Sequence, residues 1–497
     1  MKRLLCLLAL ASMTMTGCTV GPKYARPSVP AAPTDTFKEA DGWKTAEPSD
    51  QLSRGDWWGI FGDPQLNTLE DELTKSNQDL KVAQARFQEA RAAVRFNRAA
   101  EYPTISTEPG IASIHDSGHQ PYLPATSTTG EFVLPFDLSY ELDVWGRVRR
   151  TVAASREEAQ ATAADLATVS LSLHAELAFD YFELRSADAQ KELLDDTVKA
   201  YRDALQLTMN RFEGGAAPKS DVAQAQTQLE TTLVQDTDVG VQRAQFEHAI
   251  AILTGKPPAA FSLPPSPLHV QPPDISLALP SQLLERRPDI AAAERRVAEA
   301  NEQIGIARAA YFPTVVLPAS AGLEGDSIIN WFTWPSRFWA VGPSMLETLF
   351  DAGRRRATSQ SALANYDATV ASYRETTLTA LQQVEDNLEA LRILDQEAQQ
   401  QQQATASAQE SLQIFTNRYI GGVDPYLQVI TAQTIALQNE RNDVDILRRR
   451  MDASVLLIKS LGGGWISGQL PSAAQVSQNG DRSTHQMLLA GNKLGQE

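Results

Sequence analysis

Cysteine is nearly absent. The 497-residue chain has two, Cys6 and Cys18, and Cys6 lies within residues 1–17, which read as a secretory signal. With that segment removed, one cysteine remains, so no internal disulfide can form and stability must come from packing and assembly. After the signal no stretch offers the roughly 18 consecutive apolar residues of a membrane-crossing helix, so any crossing must be made with strands. Histidine is scarce too: the one close pair among the six, His115 and His119, falls in a Ser-, Gly- and Pro-rich loop instead of on a helix where its spacing would bind metal. No nucleophile elbow, phosphate loop or paired-cysteine motif is present, so the chain reads as a non-enzyme without cofactor or metal. Basic residues are outnumbered, 44 against 61 acidic, for a net charge of −17. That balance argues against nucleic acid and against bulk attraction to an anionic surface.

Glycine and proline are missing from two runs of 67 positions, residues 147–213 and 354–420, which lie 207 positions apart. The register extends past the runs: Gly146-Arg147 matches Gly353-Arg354, Asn210-Arg211 matches Asn417-Arg418, Gly214-Gly215 matches Gly421-Gly422, and Gly255 matches Gly462. At 1.5 Å per residue each run predicts a helix roughly 100 Å long, which no compact globule contains. Apolar stripes stepping by three and four, such as Leu166, Val169, Leu173, Leu177, Tyr181 and Leu184, predict coiled-coil packing seams. The Gly-Gly turns, with Pro218 and Pro425 three residues on, predict helical hairpins with a shorter return arm. That arm must be continued by another helix. The candidates are the leading helices Gln65 to Ala100 and Pro288 to Ala310, related by an offset of 210 and both ending at a Pro-Thr step.

Residues 1–17 carry Lys2, Arg3 and an apolar stretch, then Met15-Thr16-Gly17-Cys18, which resembles a bacterial lipobox and predicts a lipid on Cys18. The remaining layout is a Pro-rich tether over 18–50, a first repeat over 51–255, a linker over 256–280, a second repeat over 281–465, and a disordered or loosely wrapped tail over 466–497.

Strand candidates follow each leading helix. Phe132, Leu134, Phe136, Leu138, Tyr140, Leu142 and Val144 alternate with mostly polar neighbours, a period-2 pattern long enough for a tilted membrane strand. Thr104 to Ile114, Thr314 to Leu323 and Phe338 to Leu349 are weaker, and Pro135, Pro318 and Pro343 count against continuous ladders. Trp331, Phe332, Trp334 and Trp339 fit the aromatic girdle of a barrel at the lipid interface. Four strands cannot close a barrel and an open edge is not tolerated in lipid, so self-association is implied.

Asp56-Trp57-Trp58 with Phe61-Gly62-Asp63-Pro64, Glu285-Arg286-Arg287-Pro288-Asp289-Ile290, Tyr140-Glu141-Leu142-Asp143-Val144-Trp145-Gly146-Arg147, Leu349-Phe350-Asp351-Ala352-Gly353-Arg354 and Arg418-Tyr419-Ile420-Gly421-Gly422 resemble the TolC/OprM-type (NodT-type) outer-membrane efflux lipoproteins. The resemblance covers nearly everything from Cys18 to Trp465. It implies a homotrimer, with a 12-stranded β-barrel built from four strands per chain and continued by a long α-helical coiled-coil tunnel in the periplasm. It implies a passive exit duct for drugs or other small molecules, set in outer-membrane lipid and working with a periplasmic adaptor (membrane fusion) protein and an inner-membrane RND-type transporter. Carried onto this sequence, it makes Arg211, Gly214, Arg418 and Gly421 adaptor-contact positions at the tips. Asp424 becomes a member of an acidic ring at the periplasmic gate, although a residue before Pro425 also reads as a helix N-cap. The competing expectation is a coiled-coil envelope lipoprotein that spaces membrane from wall and conducts nothing.

Overall fold

The structure, a computed structural model, describes residues 19–29, 37–38, 56–115, 117, 119, 128–268, 270–273, 275 and 286–478. Residues 1–17, Cys18 and most of the 18–50 stretch lie outside the described residues. In chain order the main helices are α1 (Pro64–Ser76), α2 (Gln78–Ala99), α3 (Arg147–Glu213), α4 (Lys219–Leu253), α5 (Pro288–Ala309), α6 (Arg354–Ile420) and α7 (Tyr426–Ser460). The strands are β1 (Thr104–Ser106), β2 (Gly110–His115), β3 (Thr128–Leu142), β4 (Thr314–Gly325), β5 (Arg337–Val341) and β6 (Ser344–Leu346).

Both 67-residue runs are single helices, α3 and α6, and each turns back into a 35-residue arm, α4 or α7. Their seams close on α1 and on the Trp57–Phe61 turn, where Trp57, Leu66, Leu73, Leu177, Phe182 and Ile458 are buried in one cluster.

The first leading helix is not the single Gln65 to Ala100 rod expected from its pattern. It breaks at Asn77, whose backbone is extended at φ −59° and ψ 132°. The break has a cause: the Asn77 side-chain oxygen accepts from Leu80 N at 2.9 Å, while its Nδ2 donates to Leu253 O at 2.9 Å. One residue therefore starts α2 and satisfies an end carbonyl of α4, splicing the two helices. In the second half Arg287 does the same work, its Nη1 donating to Ser460 O at 2.9 Å and setting α5 on the end of α7. Each short arm is thus continued by the leading helix of its own repeat.

The sheet is antiparallel, with β3 and β4 paired at its centre, β1 and β2 along the outer side of β3, and β5 and β6 along the outer side of β4. Pro343 interrupts its own strand as expected, whereas Pro135 and Pro318 act otherwise. β3 runs through Pro135 and β4 through Pro318, because each still pairs with the other at Pro135↔Gly322 and Ser139↔Pro318. It is the edge strands that open: Thr104 to Ile114 and Phe338 to Leu349 are each split in two, at residues 107–109 facing Pro135 and at 342–343 facing Pro318. A proline offers no N–H to the neighbour that has no second partner.

Two terminal segments are packed where little was expected. Residues 19–29 of the Pro-rich segment lie along α5 and α6, with Val20 N donating to Trp145 O at 3.2 Å, Arg150 Nη2 to Pro22 O at 3.2 Å and Arg26 Nε to the Tyr373 hydroxyl at 3.1 Å. Residues 466–478 are not a loose tail. Small Ala159 and Ala163 leave a groove on α3 that Val476 and Leu470 fill, and Gln160 Nε2 donates to Pro471 O at 2.8 Å.

Candidate functional site: the helix tips and the two-faced sheet

The hairpin turns end by the same device. Ala216 N donates to Arg211 O at 2.7 Å and Val423 N to Arg418 O at 2.9 Å, six-residue closures around Gly215 and Gly422, whose φ values are 72° and 73°. These are Schellman turns, and the left-handed position falls on the second glycine of each pair. Gly214 and Gly421, singled out from the sequence, have ordinary helical φ of −77° and −71°.

The two tips then differ in chemistry. On the second, Arg418 Nε and Nη2 donate to Asp424 Oδ2 and Oδ1 at 2.6 and 3.0 Å, a bidentate clamp across the turn. Asp424 accepts no cap bond from α7, so the N-cap alternative does not describe it. The hydrogen bond from Arg418 holds the Asp424 carboxyl below its usual 3.8. A carboxylate with a lowered folded-state pKa contributes stability that is complete above the unfolded value and lost as pH falls through the folded one. The clamp is therefore intact from neutral pH to about 4 and opens only in stronger acid. A carboxyl 13C titration should place the Asp424 midpoint below 3.8; a midpoint above it would dissolve the clamp.

Arg211 reaches across from the first tip to the second. Its Nη1 donates to Ile420 O at 2.9 Å, and its guanidinium lies 4.7 Å from the centre of the Tyr419 ring. Tyr419 rests against Tyr426 at 5.1 Å, and burial pushes the Tyr426 hydroxyl up to about 12. The structure thus brings Arg211, Arg418, Gly421 and Asp424 to the second tip, and leaves Gly214 on the first. The Arg211 crossing is invisible in the sequence because it joins the two repeats, 209 residues apart.

At the other end, strand alternation and register divide the sheet into two faces. Ile105, Leu138 and Ala319 line up on one side, as do Ile111 with Phe132, Leu134 with Leu323, and Phe136 with Ala321 and Trp339. Ser106, Asp137, Ser320 and Ala340 line up on the opposite side, which also carries Glu131, Glu141 and Glu324 and has no Lys or Arg among the paired positions. Apolar outside and polar inside is the order of a barrel wall in lipid. Trp331 packs on Phe132 at 5.6 Å and on Phe332 at 4.8 Å, while Phe332, Trp334 and Trp339 are 67, 81 and 77% exposed. A second aromatic group escaped the sequence reading: Tyr102, Tyr311, Phe312 and Phe350, all exposed, mark the sheet's opposite end. The clue was present, since Tyr102 and Phe312 share the 210-residue offset just before the Pro-Thr steps. His115 lies in β2 and bonds the Thr128 hydroxyl at 2.8 Å, and among the described residues no group of three or more metal-ligating side chains forms. No helix among the described residues is long and apolar enough to cross a membrane.

The profile of the outer membrane efflux protein family matches residues 69–256 and 279–463. The toluene efflux pump outer membrane protein TtgF of Pseudomonas putida is 33% identical over 487 residues, covering 93% of this chain and 98% of the relative. Outer membrane protein OprJ of Pseudomonas aeruginosa is 31% identical over 469 residues, covering 93% and 96%. The solved structure of the outer-membrane channel OprN superposes with a TM-score of 0.84 at 30% identity, covering 90% of this chain and all of that one. The matched segments take in both repeats, the tips and the two-faced sheet, and the chain belongs to the outer membrane efflux protein family.

Proposed function

We propose that three copies of this chain close their sheets into one 12-stranded barrel over a helical tunnel, forming the passive exit duct of a tripartite efflux pump. The observation that carries this reading is the two-faced sheet whose outer edges stay unpaired among the described residues: lipid suits its apolar face, and neighbouring copies would satisfy its edges. Cys18 carries the lipid anchor, a reading supported by its neighbour Thr19, which packs on Gly146 at the base of the sheet. Solutes pass unchanged. The tips form the gate, with Asp424 as one member of a threefold acidic ring, and Gly214, Gly421, Arg211 and Arg418 face a periplasmic adaptor protein that links the duct to an inner-membrane transporter of the resistance-nodulation-division type.

Purified protein in a planar bilayer should give stepwise, cation-favouring currents. A silent bilayer with intact trimers would instead favour a structural envelope spacer. A photo-cross-linker at residue 421 should capture the adaptor in cells, and capture only from the sheet end would overturn the tip assignment.

A further inference from the structure

The chain is acidic overall, yet the end of α2 collects arginines. Arg91, Arg95 and Arg98 lie on one face of the helix at steps of four and three, a like-charge arrangement that destabilises a helix left to itself. Arg156 of α3 joins them beneath the packed C-terminal segment. Arg91 is 2% exposed; among the described residues it has no carboxylate partner, it bonds Gln88 at 3.5 Å and Gln478 O at 3.2 Å, and its Nε has no partner. A buried cation without a counter-charge is costly. Among the described residues, the one carboxylate paired with any of the four is Glu101, 3.6 Å from Arg98.

Beside this cluster lies a cavity of about 550 Å³, lined by Arg98, Arg156, Ala473, Ala474, Ser477 and Gln478. The Arg156 Nε is held at 3.0 Å by the Ser477 hydroxyl, and among the described residues its Nη groups are left for another acceptor. Arg98 sits about one helical turn before Tyr102, part of the exposed aromatic group at the base of the sheet, so the cavity opens just below the apolar wall, at the depth of phospholipid headgroups. The arginine face also points away from the exposed apolar strip of α2, Val82, Ala85, Ala92 and Phe96, which is the side left for a neighbouring copy.

We propose that this cavity is a binding site for the phosphate of an anionic phospholipid from the inner leaflet of the outer membrane. The two guanidiniums grip the phosphate oxygens in the bidentate manner, and the acyl chains rise along the apolar sheet face. The site stabilises the collar between barrel and tunnel and makes no demand on conduction.

Native mass spectrometry of the full-length trimer, with phosphatidylglycerol or phosphatidylcholine of the same acyl chains, tests this without any channel readout. Wild type should retain phosphatidylglycerol at least about tenfold more tightly. That preference should vanish in Arg98→Gln/Arg156→Gln, and also in Ala474→Trp, which fills the cavity and leaves the charges in place. Equal retention of the two lipids by wild type, or an unchanged preference in both variants, would overturn the proposal. So would full displacement of the lipid by inorganic phosphate, which would mark a site for free anions.

Discussion

Arg211→Ala should leave the duct standing open at its periplasmic end, with single-channel conductance well above that of the wild type. Arg211 ties the first hairpin tip to the second through the Ile420 carbonyl and the face of Tyr419, beside the packing of Ala225 and Leu205 on Tyr419 and Tyr426. A hydrogen bond with a charged donor contributes about 1.5–3 kcal/mol net, so its loss shifts each chain's closed-to-open ratio by roughly ten- to a hundredfold. If three tips must tighten together, the effect compounds around the axis. Adding Asp424→Ala should raise conductance further and weaken the preference for cations, because it removes the proposed acidic ring and frees Arg418. Lys219→Ala, exposed just beyond the first turn, should change neither property. Recordings from the four proteins at one salt concentration decide the matter. Wild-type conductance in Arg211→Ala would remove the cross-tip bond from the gate.

Gly462→Ala should abolish stable trimers. At the splice between α7 and α5, Gly462 has φ 94°, and an added Cβ would sit 2.0 Å from the Arg286 carbonyl oxygen, inside any permissible contact. The equivalent Gly255, at φ 71°, would place a Cβ 2.7 Å from Ser76 O. Left-handed backbone costs an L-residue about 1–2 kcal/mol, and moving a carbonyl that belongs to a helix junction adds more, for a total of roughly 3–5 kcal/mol per chain. Threefold assembly multiplies that loss. Gly240→Ala is the contrasting case: the site lies within α4, a Cβ there meets nothing within 4 Å, and the change should stabilise by about 1 kcal/mol. Heat-dissociation of the trimer on a gel reads both variants. Normal trimers from Gly462→Ala would mean that the splice is not rigid.

The parts legible in the sequence were those whose signals are local or repeated. Two runs free of Gly and Pro, each bounded by Gly before and Gly-Gly after, left helix as the remaining option, and α3 and α6 begin and end where the runs do. The period-2 face of β3 was equally plain. Contacts between distant segments were not legible. Asn77 looked like one more polar residue in a helical pattern; its cap on Leu80 is local, but its bond to Leu253 depends on a segment far along the chain. Pro343 breaks the strand that carries it, as read, but at Pro135 and Pro318 the ladder fails in the edge neighbour instead, a distinction that requires knowing the strand order. At the tips the sequence supplied Arg418 and Asp424 as separate candidates. Their bidentate pairing, and the crossing of Arg211 between repeats, depend on a turn geometry that composition does not encode.

The sheet's unpaired outer strands make inheritance of a defect collective. A chain whose edges can be completed only by two siblings has no private folded state in the membrane, so its fate is decided by the company it keeps. In a cell making normal and defective copies in equal amounts, with random mixing, only about one trimer in eight is wholly normal. A tip variant that assembles but jams would therefore silence far more ducts than its share of the chains. A splice variant that never assembles would silence only itself. Co-expression separates the two kinds of lesion without any knowledge of what the duct carries.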